Sequence, residues 1–158
     1  MTGNAGPIFG ASSRGRLAPL ITRDTEFFWE GARRRQLLVQ RCARCGATRH
    51  PPGPACPHCH SLDWEPWEEP QRGRLYSFTV QYHPLPAGFD RPCIVGLIEF
   101  DDGIRLVSNV IEVDPDELVI GEVLEVCFIA QDEGWTAPQF RRPPSVGTVP
   151  LADQPTGC

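Results

Sequence analysis

From Tyr76 to Tyr82 apolar and polar residues alternate with a period of two, Leu75 just before them being the exception. Tyr76, Phe78, Val80 and Tyr82 point one way, and Leu75, Ser77, Thr79 and Gln81 the other. A period of two places successive side chains on opposite faces of a strand. After a loop from Pro84 to Pro92, the run Cys93–Phe100 is apolar enough for a central strand, and Asp101-Asp102-Gly103 supplies a tight-turn signal. Ile104–Ile111 then pairs back. Asp114-Pro115-Asp116-Glu117-Leu118 reads as one capped helical turn with Pro at its start. Val123–Ile129 is a fourth strand, and Asp132-Glu133-Gly134 turns the chain into a last one near Thr136–Arg141. Five strands with a helical segment between the third and fourth predict a Greek-key barrel of the OB type.

Upstream the period changes. Thr22 or Asp24 can cap a helix whose Phe28 and Ala32 share a face, which predicts a helix over 23–34. Leu37–Arg41 then runs as a strand into Cys42, Thr48–His50 is a second short strand ended by Pro51-Pro52, and Asp63–Trp67 a third. The fold class expected is therefore mainly β: an N-terminal helix and ribbon over 22–70, then a five-stranded OB-fold barrel over 71–142. Residues 1–21 and 143–158, rich in Gly, Ser and Pro, are expected to be a flexible arm and tail.

The turns between the ribbon strands carry the chemistry. Cys42-x-x-Cys45 and Cys56-x-x-Cys59 stand ten residues apart. That is enough chain for a hairpin to bring both pairs to one tetrahedral ion. Thiolate sulfur suits zinc or iron, and four protein ligands leave no open position for chemistry, so Cys42, Cys45, Cys56 and Cys59 are expected to hold a structural Zn²⁺, with iron the alternative. His58 and His60 flank the second pair and read as exposed or as outer-shell neighbours. Cys93 and Cys127 lie in apolar runs and read as buried small hydrophobes, and Cys158 as an exposed thiol. Metal-type cysteine pairs with no signal-peptide pattern and no apolar run of about 20 residues suggest the reducing cytoplasm.

Charge separates the two halves. All 15 basic residues are Arg; residues 1–62 balance to +6 and residues 63–158 to −11, giving the net −5. An OB-fold beside a ribbon raises the alternative of a single-stranded nucleic-acid binder. Such a protein needs a positive groove on the barrel, and the barrel is the acidic half.

The order of the parts is specific. Phe27-Phe28-Trp29-Glu30-Gly31 precedes Leu37-Leu38-Val39-Gln40-Arg41-Cys42; then follow His50-Pro51-Pro52, Cys56-Pro57-x-Cys59, Gly73-x-Leu75-Tyr76-Ser77-Phe78-Thr79 and Asp114-Pro115-Asp116-x-Leu118-x-Ile120-Gly121. Over roughly 22–142 the chain resembles the DUF35 family, which joins a rubredoxin-like zinc ribbon to an OB-fold. The resemblance implies a non-catalytic accessory subunit of a thiolase-like enzyme (thiolase, aldolase or acyltransferase) that helps form or shield an acyl-CoA site, with the family's metal ligands falling on the four cysteines. The partner would be that enzyme subunit in a hetero-oligomer, and acyl-CoA a shared ligand.

Several other residues carry expectations. The arginines between helix and ribbon form a solvated basic face or contact CoA phosphates or an acidic partner; Arg33, Arg34 and Arg49 are the candidates there, with Phe89 and Arg91 in the loop after the first barrel strand. Trp64, Trp67, Tyr76 and Phe78 are expected to pack the ribbon against the barrel. No nucleophile motif or phosphate loop appears, and His83 is isolated, so no residue is assigned a catalytic role. The barrel is expected to have its own core and to survive loss of the ribbon metal.

Overall fold

The computed structural model describes residues 16–144 except Asp90 and Glu133. The elements run α1 (Glu26–Arg33), β1 (Leu38–Cys42), β2 (Thr48–Arg49), β3 (Trp64–Glu68), β4 (Arg72–Gln81), β5 (Cys93–Glu99), β6 (Arg105–Val110), a 3₁₀ turn (Pro115–Glu117), β7 (Val123–Ala130) and β8 (Thr136–Arg141). The architecture is mainly β, as the alternation predicts. Of the arm and tail expected to be flexible, residues 1–15 and 145–158 lie outside the described residues, Cys158 among them.

Helix α1 starts one to three residues later than its capping residues suggest. Thr22 and Thr25 fold into a turn of their own: the Thr22 carbonyl accepts from the amides of Thr25 at 3.0 Å and Glu26 at 2.9 Å. The helix buries Phe28, Gly31 and Ala32. Gly31 is required by contact. A Cβ there would stand 2.7 Å from Leu38 Cγ, so the helix can lie against β1 only without a side chain at this position.

The ribbon is a three-stranded antiparallel sheet, β2-β1-β3. The barrel closes in the order β4-β5-β6-β8-β7, with β6 and β8 meeting in parallel at Val110 and Phe140 and every other pair antiparallel. Closure leaves the barrel no free edge. Its helical turn is capped as the sequence indicates, the Asp114 carboxylate accepting from the Asp116 amide at 3.0 Å.

One continuous core joins the parts, which corrects the expectation of a barrel with a core of its own. Phe28 and Ala32 of α1, Leu37 and Val39 of the ribbon, and Leu75, Ile94, Ile98, Leu106, Val110, Leu124, Val126, Phe128 and Phe140 of the barrel belong to one buried cluster. A polar seam accompanies it. Glu69, buried between β3 and β4, donates its amide to the Leu37 carbonyl at 2.9 Å, while Thr48 of β2 donates its hydroxyl to Asp102 in the β5–β6 turn at 2.5 Å.

Of the aromatic residues expected to join ribbon and barrel, Phe78 packs against the shared core and the other three are arranged differently. Trp64 packs on Phe27, with ring centroids 4.8 Å apart. Trp67 and Tyr76 are exposed, each under an arginine: Arg41 lies 4.1 Å from the Trp67 ring and Arg105 3.6 Å from that of Tyr76. Rings from other segments join α1 to the barrel: Trp29 meets Trp135 edge-on at 5.7 Å.

Candidate metal centre

The two cysteine turns have the same backbone design. In the first, the Gly46 amide donates to the Cys42 carbonyl and the Cys42 amide to the Ala47 carbonyl, both at 2.9 Å. In the second, the His60 amide donates to the Cys56 carbonyl and the Cys56 amide to the Ser61 carbonyl, again both at 2.9 Å. Each turn needs a left-handed residue four positions after its first cysteine: Gly46 at φ 74° and His60 at φ 59°. Glycine fills that conformation freely, whereas histidine holds it at a cost of about 1–2 kcal/mol, met by the closed turn around it.

These turns bring the four sulfurs within 4.8 Å of one another. Cys42 Sγ lies 3.6 Å from Cys59 Sγ, and Cys45 Sγ 3.5 Å from Cys56 Sγ. Four sulfurs at about 2.3 Å around a tetrahedral Zn²⁺ stand about 3.8 Å apart, so the set fits such an ion. Both separations far exceed the roughly 2.05 Å of a disulfide bond. Cys42 and Cys56 are buried, Cys59 half-buried and Cys45 exposed.

The backbone also favours thiolates. The Cys45 amide, followed by that of Arg44, holds the Cys42 thiol down to about 6. The Cys59 amide likewise lowers the Cys56 thiol below its ordinary range. At Cys45 the Ala47 amide lowers the value, yet the crowding sulfurs of Cys56 and Cys59 prevail and push it up to about 12. Four sulfurs this close resist becoming four anions until a cation offsets their charge. His58 and His60 are exposed, and among the described residues only the four cysteines converge as a ligand set. Cys93 and Cys127 are buried, as their apolar settings indicate.

The candidate contact residues are spread over the end of α1, β2 and the β4–β5 loop. Arg33 and Arg34 are exposed at the end of α1, Arg34 being 3.8 Å from Glu30 one turn back. Arg91 is exposed in the β4–β5 loop. Phe89, half-buried in that loop, has the Arg16 guanidinium 4.1 Å above its ring. Arg49 does not suit a contact role. It is buried, donating from Nε to Gln40 Oε1 at 2.7 Å and from Nη2 to the Gly53 carbonyl at 3.2 Å, so its head group braces the ribbon from inside. Sequence reasoning missed a cleft where Arg16, His50 and Trp135 converge; residues so far apart in the chain leave no local signal.

Comparison with known proteins agrees with this geometry. Residues 29–65 match the family model described as ChsH2, rubredoxin-like zinc ribbon domain, and residues 68–128 that described as ChsH2, C-terminal OB-fold domain. A probable enoyl-CoA hydratase alpha subunit of Thermomonospora curvata is 43% identical over 126 residues, 80% of this chain. The chain spans only 40% of that relative's length. A DUF35 domain-containing scaffold protein of Methanothermobacter thermautotrophicus is 30% identical over 97 residues, covering 60% of this chain and 73% of the relative. Among solved structures, a chain of the Ltp2-ChsH2(DUF35) aldolase superposes with a TM-score of 0.75 at 42% identity, over 79% of this chain and 98% of that one. With its ribbon, its closed barrel and these relatives in the same order, the chain belongs to the DUF35 family, in the ChsH2 arrangement of a rubredoxin-like zinc ribbon followed by an OB-fold.

Proposed function

We propose that this chain is a non-catalytic, zinc-binding accessory subunit that docks on a thiolase-like enzyme (a thiolase, aldolase or acyltransferase) and helps form or stabilise that enzyme's acyl-CoA site. The observation that carries the reading is the likeness to a chain of the Ltp2-ChsH2(DUF35) aldolase across 98% of that chain. The ion's part is structural. Cys42, Cys45, Cys56 and Cys59 hold it as four thiolates, fix the two turns and leave it no open position, so a nucleophile and acid–base groups come from the partner. Reduced thiols of this kind suit the cytoplasm. Arg33, Arg34, Phe89 and Arg91, all at least partly accessible, are the residues proposed to meet CoA or the partner.

The test is a pull-down of the tagged chain from its native host, with mass spectrometry of what accompanies it and turnover assays on acyl-CoA substrates. A thiolase-like enzyme is expected in the pull-down at fixed stoichiometry, with turnover only when both chains are present. Robust turnover by this chain alone overturns the reading. Salt-dependent binding of single-stranded DNA or RNA, with no enzyme recovered, favours the nucleic-acid alternative.

A further inference from the structure

A cleft of about 470 Å³ opens where α1, the His50-Pro51-Pro52 segment and strands β5, β6 and β8 meet. That volume falls in the usual range for small-molecule sites. One end is ring-lined. Phe28 lies edge-on to Trp29 at 5.0 Å and 5.2 Å from the His50 ring, and Trp135 closes against Trp29. The other end is polar and belongs to Arg16. Its Nη2 donates to Asn109 Oδ1 at 3.4 Å, and turning the Gln139 amide over, as its neighbours demand, brings that oxygen to 3.3 Å from the same nitrogen.

Two features of this cleft are left unexplained by the fold. Arg16 is half-buried, and no carboxylate among the described residues forms an ion pair with it. A guanidinium removed from water ordinarily has an anionic partner. Arg16 Nε, Trp135 Nε1 and His50 Nδ1 are all buried without a hydrogen-bond partner, and three such groups around one cleft is a concentration that native structures avoid. Burial holds His50 down to about 4, so at neutral pH it is uncharged and Arg16 is the only charge among the described residues that line the cleft.

We propose that this cleft binds a ring-bearing apolar carboxylic acid, its rings between Phe28, Trp29 and Trp135 and its carboxylate on the Arg16 guanidinium. The single cation and the ring-lined walls select a monoanion with an apolar body. A phosphate ester would need more positive charge and would leave the aromatic surfaces uncovered. Arg16 Nε is the unpartnered donor that a carboxylate there would satisfy. This assignment does not rest on docking to an enzyme: it concerns what the lone chain binds, and its failure leaves the docking reading untouched.

The experiment uses the full chain, metal-loaded, with naphthalene-2-carboxylate as probe and naphthalene-2-methanol as its neutral counterpart. Binding is read by calorimetry and by the indole N–H signals in ¹H–¹⁵N spectra. The acid is expected to shift the Trp29 and Trp135 indoles and leave those of Trp64 and Trp67 in place. It should bind at least about 10-fold more tightly than the alcohol, as a charge-assisted contact requires. Arg16→Met keeps the stem and should abolish that preference while the alcohol binds as before. If the variant fails to fold, the acid–alcohol comparison on the natural chain decides alone. Equal affinity for acid and alcohol overturns the proposal, as do unmoved Trp29 and Trp135 signals at millimolar acid. So does a cleft that ignores the acid and changes only in complex with a partner protein, which would make its occupant a protein segment.

Discussion

Replacing Glu69 by Gln should stabilise the protein, and more so as pH rises. Glu69 is 3% exposed, and its Oε1 has no hydrogen-bond partner. Burial, with the charge and hydrogen bond of neighbouring Asp102 adding to it, pushes the Glu69 carboxyl up to about 7 from an ordinary 4.5. An acid whose folded pKa is raised favours the fold in its protonated form. The stability it lends is present in full below about pH 4.5 and is lost as pH rises through about 7. That difference alone corresponds to about 3.4 kcal/mol. Asp102 is exposed, so water screens its charge, and about 1–2 kcal/mol is the magnitude expected. Gln keeps the shape and never ionises. Urea unfolding of both proteins at about pH 5 and about pH 8.5 should therefore show the variant's advantage growing by about 1–2 kcal/mol across that range. Comparing the two chains at each pH cancels any shared effect of thiol protonation on metal binding. An advantage that is constant with pH, or a variant less stable at the alkaline end, would refute the reasoning.

Two more predictions concern the core and the metal. Cys56→Ser, or removal of the ion by a chelator, should unfold ribbon and barrel together. Structural zinc contributes about 10–16 kcal/mol in small peptides, comparable with the whole stability of a domain, and Phe28, Ala32, Leu37 and Val39 share one cluster with the barrel. Circular dichroism in the near and far ultraviolet should change in one transition as zinc leaves, and a barrel signal that outlasts the ribbon would show separable cores. Gly31→Ala tests the helix contact. Helix propensity favours alanine by about 1 kcal/mol, but its Cβ would stand 2.7 Å and 2.8 Å from Leu38 and 3.0 Å from the Gln36 carbonyl. Overpacking of about 1–3 kcal/mol should win, and thermal melts showing a more stable variant would place the helix farther from β1 than the structure does.

Much of this molecule is legible along the chain, because its signals are local. Alternation from Tyr76 to Tyr82 finds a strand, Asp101-Asp102-Gly103 a turn and Asp114-Pro115 a capped start, since each depends on neighbours a few residues away. The cysteine quartet is legible for the same reason: spacing within each pair builds the turn, and thiolate chemistry names the class of ion. What spacing alone leaves open is whether distant segments meet. Only the tertiary structure decided that Arg49 turns inward to Gln40, that Trp29 rather than Trp64 or Trp67 reaches the barrel, and that Leu37 and Val39 complete a core begun at Leu75. Arg16, His50 and Trp135 share a cleft because helix, ribbon and barrel pack around one cluster, and burial, not sequence neighbourhood, removes their water. Sequence determined the elements and the metal-ligand chemistry, because backbone geometry and donor type act at short range. Packing decided the shared core and the cleft, because desolvation depends on everything that surrounds a side chain in space.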